Sequence, residues 1–390
     1  MSKTYDFAIV GGGIAGVAIG HELAAFGSAC LLEREAQLAY HTTGRSAAIS
    51  MESYGNATIR ALTKASSAFY KAPPEGFTET PLWAPRGALI LADEGMTAKL
   101  DARFTEVSQL VPTVQRLSTP EILGLGPFLR PERWTAALYE PDAFDLDVHA
   151  IHGAFLRGFR RNGGEVRRDA ELAAATRRDG VWVLTLGNGE TLEAAILVNA
   201  AGAWADEVAA AAGLPGIGLR PLRRSVLLVD PGMDVRAVPY IGTVNEEIFI
   251  KPDSGRVMVS PCDETESAPC DAWPEDMDLA VAMERFEHAT TIRVSHIQAK
   301  WAGLRCFVPD RSPVIGADEA AEGFFWFAAL GGYGIQAAPG LAALCRSLIL
   351  KDGVPPSLAR LGVTAAAVSP ARCRQAEFRQ RSVAVVAELR

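Results

Sequence analysis

The sequence predicts a mixed α/β fold, α+β overall, in which a parallel sheet flanked by helices carries an inserted mixed sheet. Three observations support it. Apolar runs near both ends of the chain stop on glycines and pass into segments with apolar residues at helical spacing. Residues 181–186 alternate and are followed by a Gly-Asn-Gly-Glu turn at 187–190, the pattern of a hairpin. The chain's 390 residues also exceed what one hydrophobic core usually organises, so two domains are expected.

The first element is the apolar run 5–10, which ends at Gly11, and residues 14–26 follow with helix formers. The turn between them reads Gly11-Gly12-Gly13-Ile14-Ala15-Gly16, so Gly11, Gly13 and Gly16 satisfy GxGxxG. Gly11 permits the tight turn, Gly13 lets backbone approach a pyrophosphate, and Gly16 lets helix and strand pack closely. Gly27 is the expected helix stop, and residues 30–32 are expected to form a second buried strand ending in Glu33. Glu33 lies 22 positions after Gly11, where a carboxylate accepts hydrogen bonds from ribose hydroxyls and repels a 2′-phosphate. The unit is Rossmann-like and suits FAD or NAD better than NADP.

Composition narrows the partners. Hydrophobic residues make up 49% of the chain and charged ones 22%, which is enough to bury a large core and does not suggest disorder. A formal net charge of −8 without a long basic run argues against nucleic acid. Six scattered cysteines (Cys30, Cys262, Cys270, Cys306, Cys345 and Cys373) form no CxxC pair, so reduced thiols and no metal site are expected. The chain reaches a strand within five residues without a secretory pattern, and no apolar run of about 18 residues appears. A cytoplasmic protein without a membrane span is the expectation.

Three later segments extend the reading. The polar loop 40–48, Tyr-His-Thr-Thr-Gly-Arg-Ser-Ala-Ala, offers hydroxyl and guanidinium donors that suit phosphate oxygens, or equally an N-cap and a surface salt bridge. Residues 195–204 run from an apolar strand into small residues that allow close backbone approach. Residues 324–330 lead through Gly331-Gly332-Tyr333-Gly334 into a helix, a second strand, glycine turn and helix. Together these resemble the D-amino-acid oxidase and glycine oxidase superfamily. The resemblance implies a Rossmann-like FAD-binding domain with an inserted mixed-sheet substrate domain, and noncovalent FAD. It implies cofactor contacts from Arg34, Thr43, Arg45, Ser46 and Ala47, from Ala201 and Gly202, and from Gly331, Gly332, Tyr333, Gly334 and Ile335. Because these elements lie at the start, middle and end, the cofactor domain is read as residues 1–84, 146–220 and 298–390, with the substrate domain at 85–145 and 221–297.

Within that superfamily the chain most resembles the bacterial D-amino acid dehydrogenases, D-arginine dehydrogenase among them, through residues 43–48, 156–162, 198–204, 301–305 and 331–336. By that resemblance Arg224 and Arg305 hold the substrate carboxylate, and a guanidinium pair would orient the carbon that loses hydride. Tyr54 and Tyr333 either cover the substrate or are ordinary packed aromatics. Three positions depart from the arginine-specific pattern: Ile49 replaces a histidine, Ala88 a glutamate and Phe249 a tyrosine. An apolar pocket cannot compensate a guanidinium, so a neutral side chain is expected. The implied reaction is oxidative deamination of a D-amino acid, with hydride passing to flavin N5 and the imino acid hydrolysing to a 2-oxo acid and ammonia. Electrons would leave to a quinone, an electron-transfer protein or oxygen. A sarcosine or glycine oxidase-like amine oxidase, a 2-hydroxy acid dehydrogenase and a non-catalytic flavoprotein subunit stay open. Cys306 lies where some sarcosine oxidases attach flavin, although a buried inert thiol fits it better, and His149 and His152 carry no assigned role.

Overall fold

The computed structural model describes residues 3–375 and 378. Its first sheet is built on the strand Lys3–Val10, whose apolar residues pair in parallel with Ala29–Leu32 on one side and Thr191–Asn199 on the other. Glu165–Arg167 extends the sheet beyond Ala29–Leu32, and Phe324–Ala328 joins in parallel at Leu197 to Asn199. Strands Val181–Leu186 and Thr191–Asn199 form the expected hairpin, with Leu172–Arg178 outside it. Fully buried strands of a parallel sheet need apolar residues on both faces, and Ala29–Leu32 and Phe324–Ala328 are buried at every position.

Helices Ile14–Leu23, Val148–Arg161 and Gly334–Ile349 pack on one face of this sheet around Ile9, Val17, Phe155, Phe159 and Leu341. The first helix is shorter than the expected 14–26. It closes at Ala24, in right-handed geometry, and Phe26 is 58% exposed. Gly27 is therefore not the helix stop: it lets the chain pass against Asp6, whose carboxylate accepts the Ser28 N–H at 2.7 Å.

The second sheet orders Thr265–Glu266, Arg220–Val229, Arg256–Ser260, Phe249–Asp253, Tyr240–Thr243, Ala88–Ala92, Ala136–Glu140 and Gln115–Ser118. The long strand Ile297–Phe307 pairs antiparallel with Arg220–Val229 along its length, from Arg220 opposite Phe307 to Val229 opposite Ile297. That strand thus belongs to the second sheet, although the sequence division starts its last cofactor segment at 298. A small sheet of Ile49–Ser50, Phe144–Leu146 and Trp83–Pro85 lies beside the two larger ones. Among the described residues no helix is long and apolar enough to cross a membrane, and no group of three His, Cys, Asp or Glu is placed to hold a metal.

Candidate active site

One cavity runs from the glycine turn of the first sheet to the face of the second, and most of the residues singled out in the sequence line it. At the turn, a side chain on Gly11 would overlap the Ala200 carbonyl and one on Gly16 the Gly11 carbonyl, while Gly13 faces only the Thr43 hydroxyl, 3.1 Å from where a Cβ would stand. The wall at Gly13 is bare backbone at the start of a helix, the arrangement that binds phosphate. Thr43 Oγ1 accepts the Ile14 N–H at 3.0 Å, so Thr43 also caps that helix.

Gly12 is held through both its N–H and its carbonyl. Buried Glu33 accepts its N–H at 2.8 Å and the Glu35 N–H at 2.9 Å. His152, also buried, donates from Nε2 to the Gly12 carbonyl at 2.9 Å, because a carbonyl can only accept. Burial keeps the His152 imidazole below its ordinary pKa, and hence neutral. Sequence reading gave His152 no part in the site, and with the partners 140 positions apart no local pattern signals the contact. Farther along, the Arg34 guanidinium lies over Trp204 at 5.0 Å and His41 packs on the same ring at 4.5 Å.

The loop after Glu33 is fastened to the second sheet. Thr42 Oγ1 donates to the Leu304 carbonyl at 2.8 Å, and the Trp301 indole donates to the Arg45 carbonyl at 3.1 Å. The Arg45 guanidinium donates to the carbonyls of Ala272 (2.8 Å) and Ala302 (3.0 Å) and pairs with Asp271. Its charged head is thereby committed to protein partners. Ser46 and Ala47 line the cavity, as do Ala201, Gly202, Gly331, Gly332, Gly334 and Ile335.

At the far end, Arg224 and Arg305 come from adjacent strands. Arg224 stands opposite Gly303 and Leu222 opposite Arg305, so the two arginines are diagonal neighbours on one face. Strand alternation turns Arg223 to the other face, where it pairs with Asp278 at 3.0 Å and with Glu275. Arg224 donates to the Asp263 carbonyl (2.9 Å) and to Glu264 (3.2 Å). Arg305 donates from Nη2 to the Tyr54 hydroxyl at 3.0 Å; its buried Nη1 has no hydrogen-bond partner among the described residues and stands 3.8 Å from Glu264. Arg311 clasps Glu264 with two bonds of 2.6 and 2.9 Å. Glu264 and Arg311 were not anticipated, since nothing in their local sequence marks them.

The walls beside the arginines are Ile49, Met51, Val226, Tyr240 and Phe249. Two of the positions singled out in the sequence stand apart from these walls. Ala88 is fully buried and off the cavity wall: its strand is paired on both sides, and its methyl packs with Met51 and Ala143, which Ile49 and Tyr54 cover. Tyr333 is also off the wall, packed with Ile59, Leu222 and Phe307, its ring 5.1 Å from that of Tyr54. A carboxylate does lie directly across from Ala88, that of Glu140. It is 1% exposed and accepts the N–H groups of Glu52 (2.7 Å) and Ser53 (3.1 Å), so it anchors the loop bearing Tyr54. Cys306 faces the cavity, and burial pushes its thiol up to about 12, which keeps it protonated.

A family model described as "FAD dependent oxidoreductase" (DAO) matches residues 6–348. The chain belongs to this DAO family. Its cofactor is FAD, and the bare backbone at Gly13, the buried carboxylate of Glu33 and the Arg34–Trp204–His41 cluster that line the cavity are chemically suited to a pyrophosphate, a ribose and an aromatic ring. Human mitochondrial dimethylglycine dehydrogenase is 24% identical over 374 residues, which is 89% of this chain and 42% of that protein. The chain therefore spans less than half the length of that relative. Among solved structures of the DAO fold, glycine oxidase from Geobacillus kaustophilus matches with a TM-score of 0.79 at 22% identity, covering 90% of this chain and 95% of that one. L-Proline dehydrogenase from P. horikoshii matches with a TM-score of 0.81 at 21% identity, covering 95% and 98%.

Proposed function

We propose that this DAO-family enzyme oxidises the carbon–nitrogen bond of a small amino acid with a neutral side chain, a D-amino acid by its resemblance to the D-amino acid dehydrogenases. The observation that carries the reading is Arg305, a buried guanidinium on the cavity wall with one nitrogen that has no hydrogen-bond partner among the described residues. A buried donor without a partner is costly, and a substrate carboxylate relieves that cost. Arg224 flanks it on the same face, and Tyr54 fixes its other terminal nitrogen. The apolar walls at Ile49, Met51, Val226 and Phe249 favour an aliphatic or aromatic side chain.

Bound FAD supplies the acceptor for a hydride and its two electrons. The residues of the chain hold the carboxylate, turn the α-carbon toward the cofactor and keep water from the apolar walls. The amine enters neutral, its lone pair completes the carbon–nitrogen double bond as hydride leaves, and water then releases ammonia and a 2-oxo acid. Tyr333 contributes no base at neutral pH, because burial pushes its phenol up to about 12.

A secondary amine is the second reading, favoured by the name of the human relative and by walls that would accept N-methyl groups. An anaerobic screen of neutral D-amino acids, L-amino acids, N-methyl amino acids and 2-hydroxy acids, following flavin bleaching, separates the readings. Fastest bleaching by a neutral D-amino acid with release of ammonia is expected. Bleaching by 2-hydroxy acids alone would overturn the amine chemistry.

A further inference from the structure

We infer that Gly332 is a positioning residue for the substrate carboxylate: its missing side chain seats the Arg305 guanidinium, so position 332 governs carboxylate binding and leaves FAD retention intact. The inference rests on Arg305 being the carboxylate ligand, and it gives Gly332 a different task from the cofactor contact that the resemblance implies.

A Cβ built on Gly332 would overlap Nη2, Nε and Cζ of Arg305, all at nearly the same distance. The two nitrogens lie nearer than Cζ, so the glycine stands at the Nε–Nη2 edge of the guanidinium. Tyr333 and Phe307 bound the same group, with ring centroids 5.7 and 5.4 Å from Cζ. The turn cannot retreat, because the Gly331 N–H donates to the Cys306 carbonyl at 2.8 Å and so ties it to the residue after Arg305. An added methyl must therefore be absorbed by the arginine. That displacement costs the fold little, since the overlapped atoms are the far end of a flexible side chain and Gly332, unlike Gly331, does not occupy the positive-φ region. It does move the one terminal nitrogen that is without a hydrogen bond, and it strains the bond from Nη2 to Tyr54.

The test uses FAD-loaded wild type, Gly332→Ala, Arg305→Lys and the double variant, with benzoate, a carboxylate without an α-hydrogen, titrated against the flavin absorption spectrum. Gly332→Ala should keep wild-type FAD content while its benzoate Kd and the KM of its best substrate rise about ten-fold, with kcat changed much less. In the Arg305→Lys background, where no guanidinium edge meets the methyl, adding Gly332→Ala should change Kd by less than about two-fold. Equal effects in both backgrounds, unchanged carboxylate affinity in Gly332→Ala, or loss of FAD without loss of affinity in the loaded fraction would each overturn the inference. If Arg305→Lys binds benzoate as tightly as wild type, it is the carboxylate role of Arg305 that fails, and this outcome is distinct from the others.

Discussion

Arg305 and Arg224 have unequal surroundings. Arg224 already spends its Nε on the Asp263 carbonyl and an Nη on Glu264, whereas Arg305 Nη1 has no hydrogen bond among the described residues and only a 3.8 Å ion pair with Glu264. Arg305→Ala should therefore lower kcat/KM more than Arg224→Ala does, each by about 1.5–3 kcal/mol of transition-state stabilisation or about ten- to a hundred-fold, with FAD content preserved. Steady-state kinetics beside flavin absorbance check this, and wild-type kinetics in both variants would remove the clamp. Position 88 yields a contrary expectation. A glutamate placed there to receive a cationic substrate would be buried opposite Glu140 and off the cavity wall, so Ala88→Glu should destabilise the protein by about 3 kcal/mol or more without creating a D-arginine oxidase. A thermal melt matching wild type would contradict the burial argument. His152 gives a pH signature. Its folded pKa is depressed by burial, so the unfolded chain takes up the proton first, and the stability it contributes is complete above about pH 6.5 and lost as pH falls through the folded value. His152→Gln keeps an N–H donor and cannot titrate, so its FAD retention should fall less than that of wild type between about pH 6.5 and 5. Parallel pH curves for the two proteins would exclude His152 as the source.

The same contrast between near and distant partners explains what could be read from the chain at the scale of elements. The glycine turn, the strand ending at Glu33, the hairpin of Val181–Leu186 with Thr191–Asn199 and the second glycine turn at 331–334 are local patterns, and the structure contains each. Helix length was misread because burial of Leu23, and not the position of Gly27, decides where the apolar stripe stops. Ala88 and Tyr333 match family positions by sequence, yet strand pairing and the choice of which face a ring packs on put both behind the wall. Partners brought from remote segments, such as His152 on Gly12, Glu264 between Arg224 and Arg311, or Glu140 beneath the Tyr54 loop, leave no spacing to read. The loop at 40–48 is the element most changed by this view. Arg45→Ala would orphan the Ala272 and Ala302 carbonyls and leave only the Thr42 and Trp301 bonds to tie the loop to Ile297–Phe307. It should weaken FAD binding by about 1–3 kcal/mol through misplacement of Thr43 and Ser46. A fluorescence titration of apoprotein with FAD measures this, and unchanged affinity would limit Arg45 to a surface tie.

Across the whole molecule the cavity lies where two sheets meet, and the loop at 40–48 bonds to the helix that follows the first sheet's glycine turn and to the second sheet. A ligand that binds only the folded form stabilises whatever is tied to its site. Removing FAD should accordingly raise hydrogen exchange in the first glycine turn and also in Ile297–Phe307 and Arg220–Val229, strands of the other sheet. Exchange confined to the first sheet would mean that the two halves respond independently. The segments that build the cofactor surface are also far apart along the chain: Gly11 to Gly16, Glu33, Thr43, His152, Ala200 to Trp204 and Gly331 to Ile335. A nascent chain leaving the ribosome from its N-terminus exposes the pyrophosphate turn early, but it has no Gly12 carbonyl clamp until His152 emerges and no closing turn until residue 335 is made. The Rossmann-like unit must wait, with its apolar strand edge at Lys3–Val10 open, until Thr191–Asn199 has been made. FAD capture thus waits for the turn at residues 331–335, and chains released before it would carry the dinucleotide motif without being able to keep the dinucleotide.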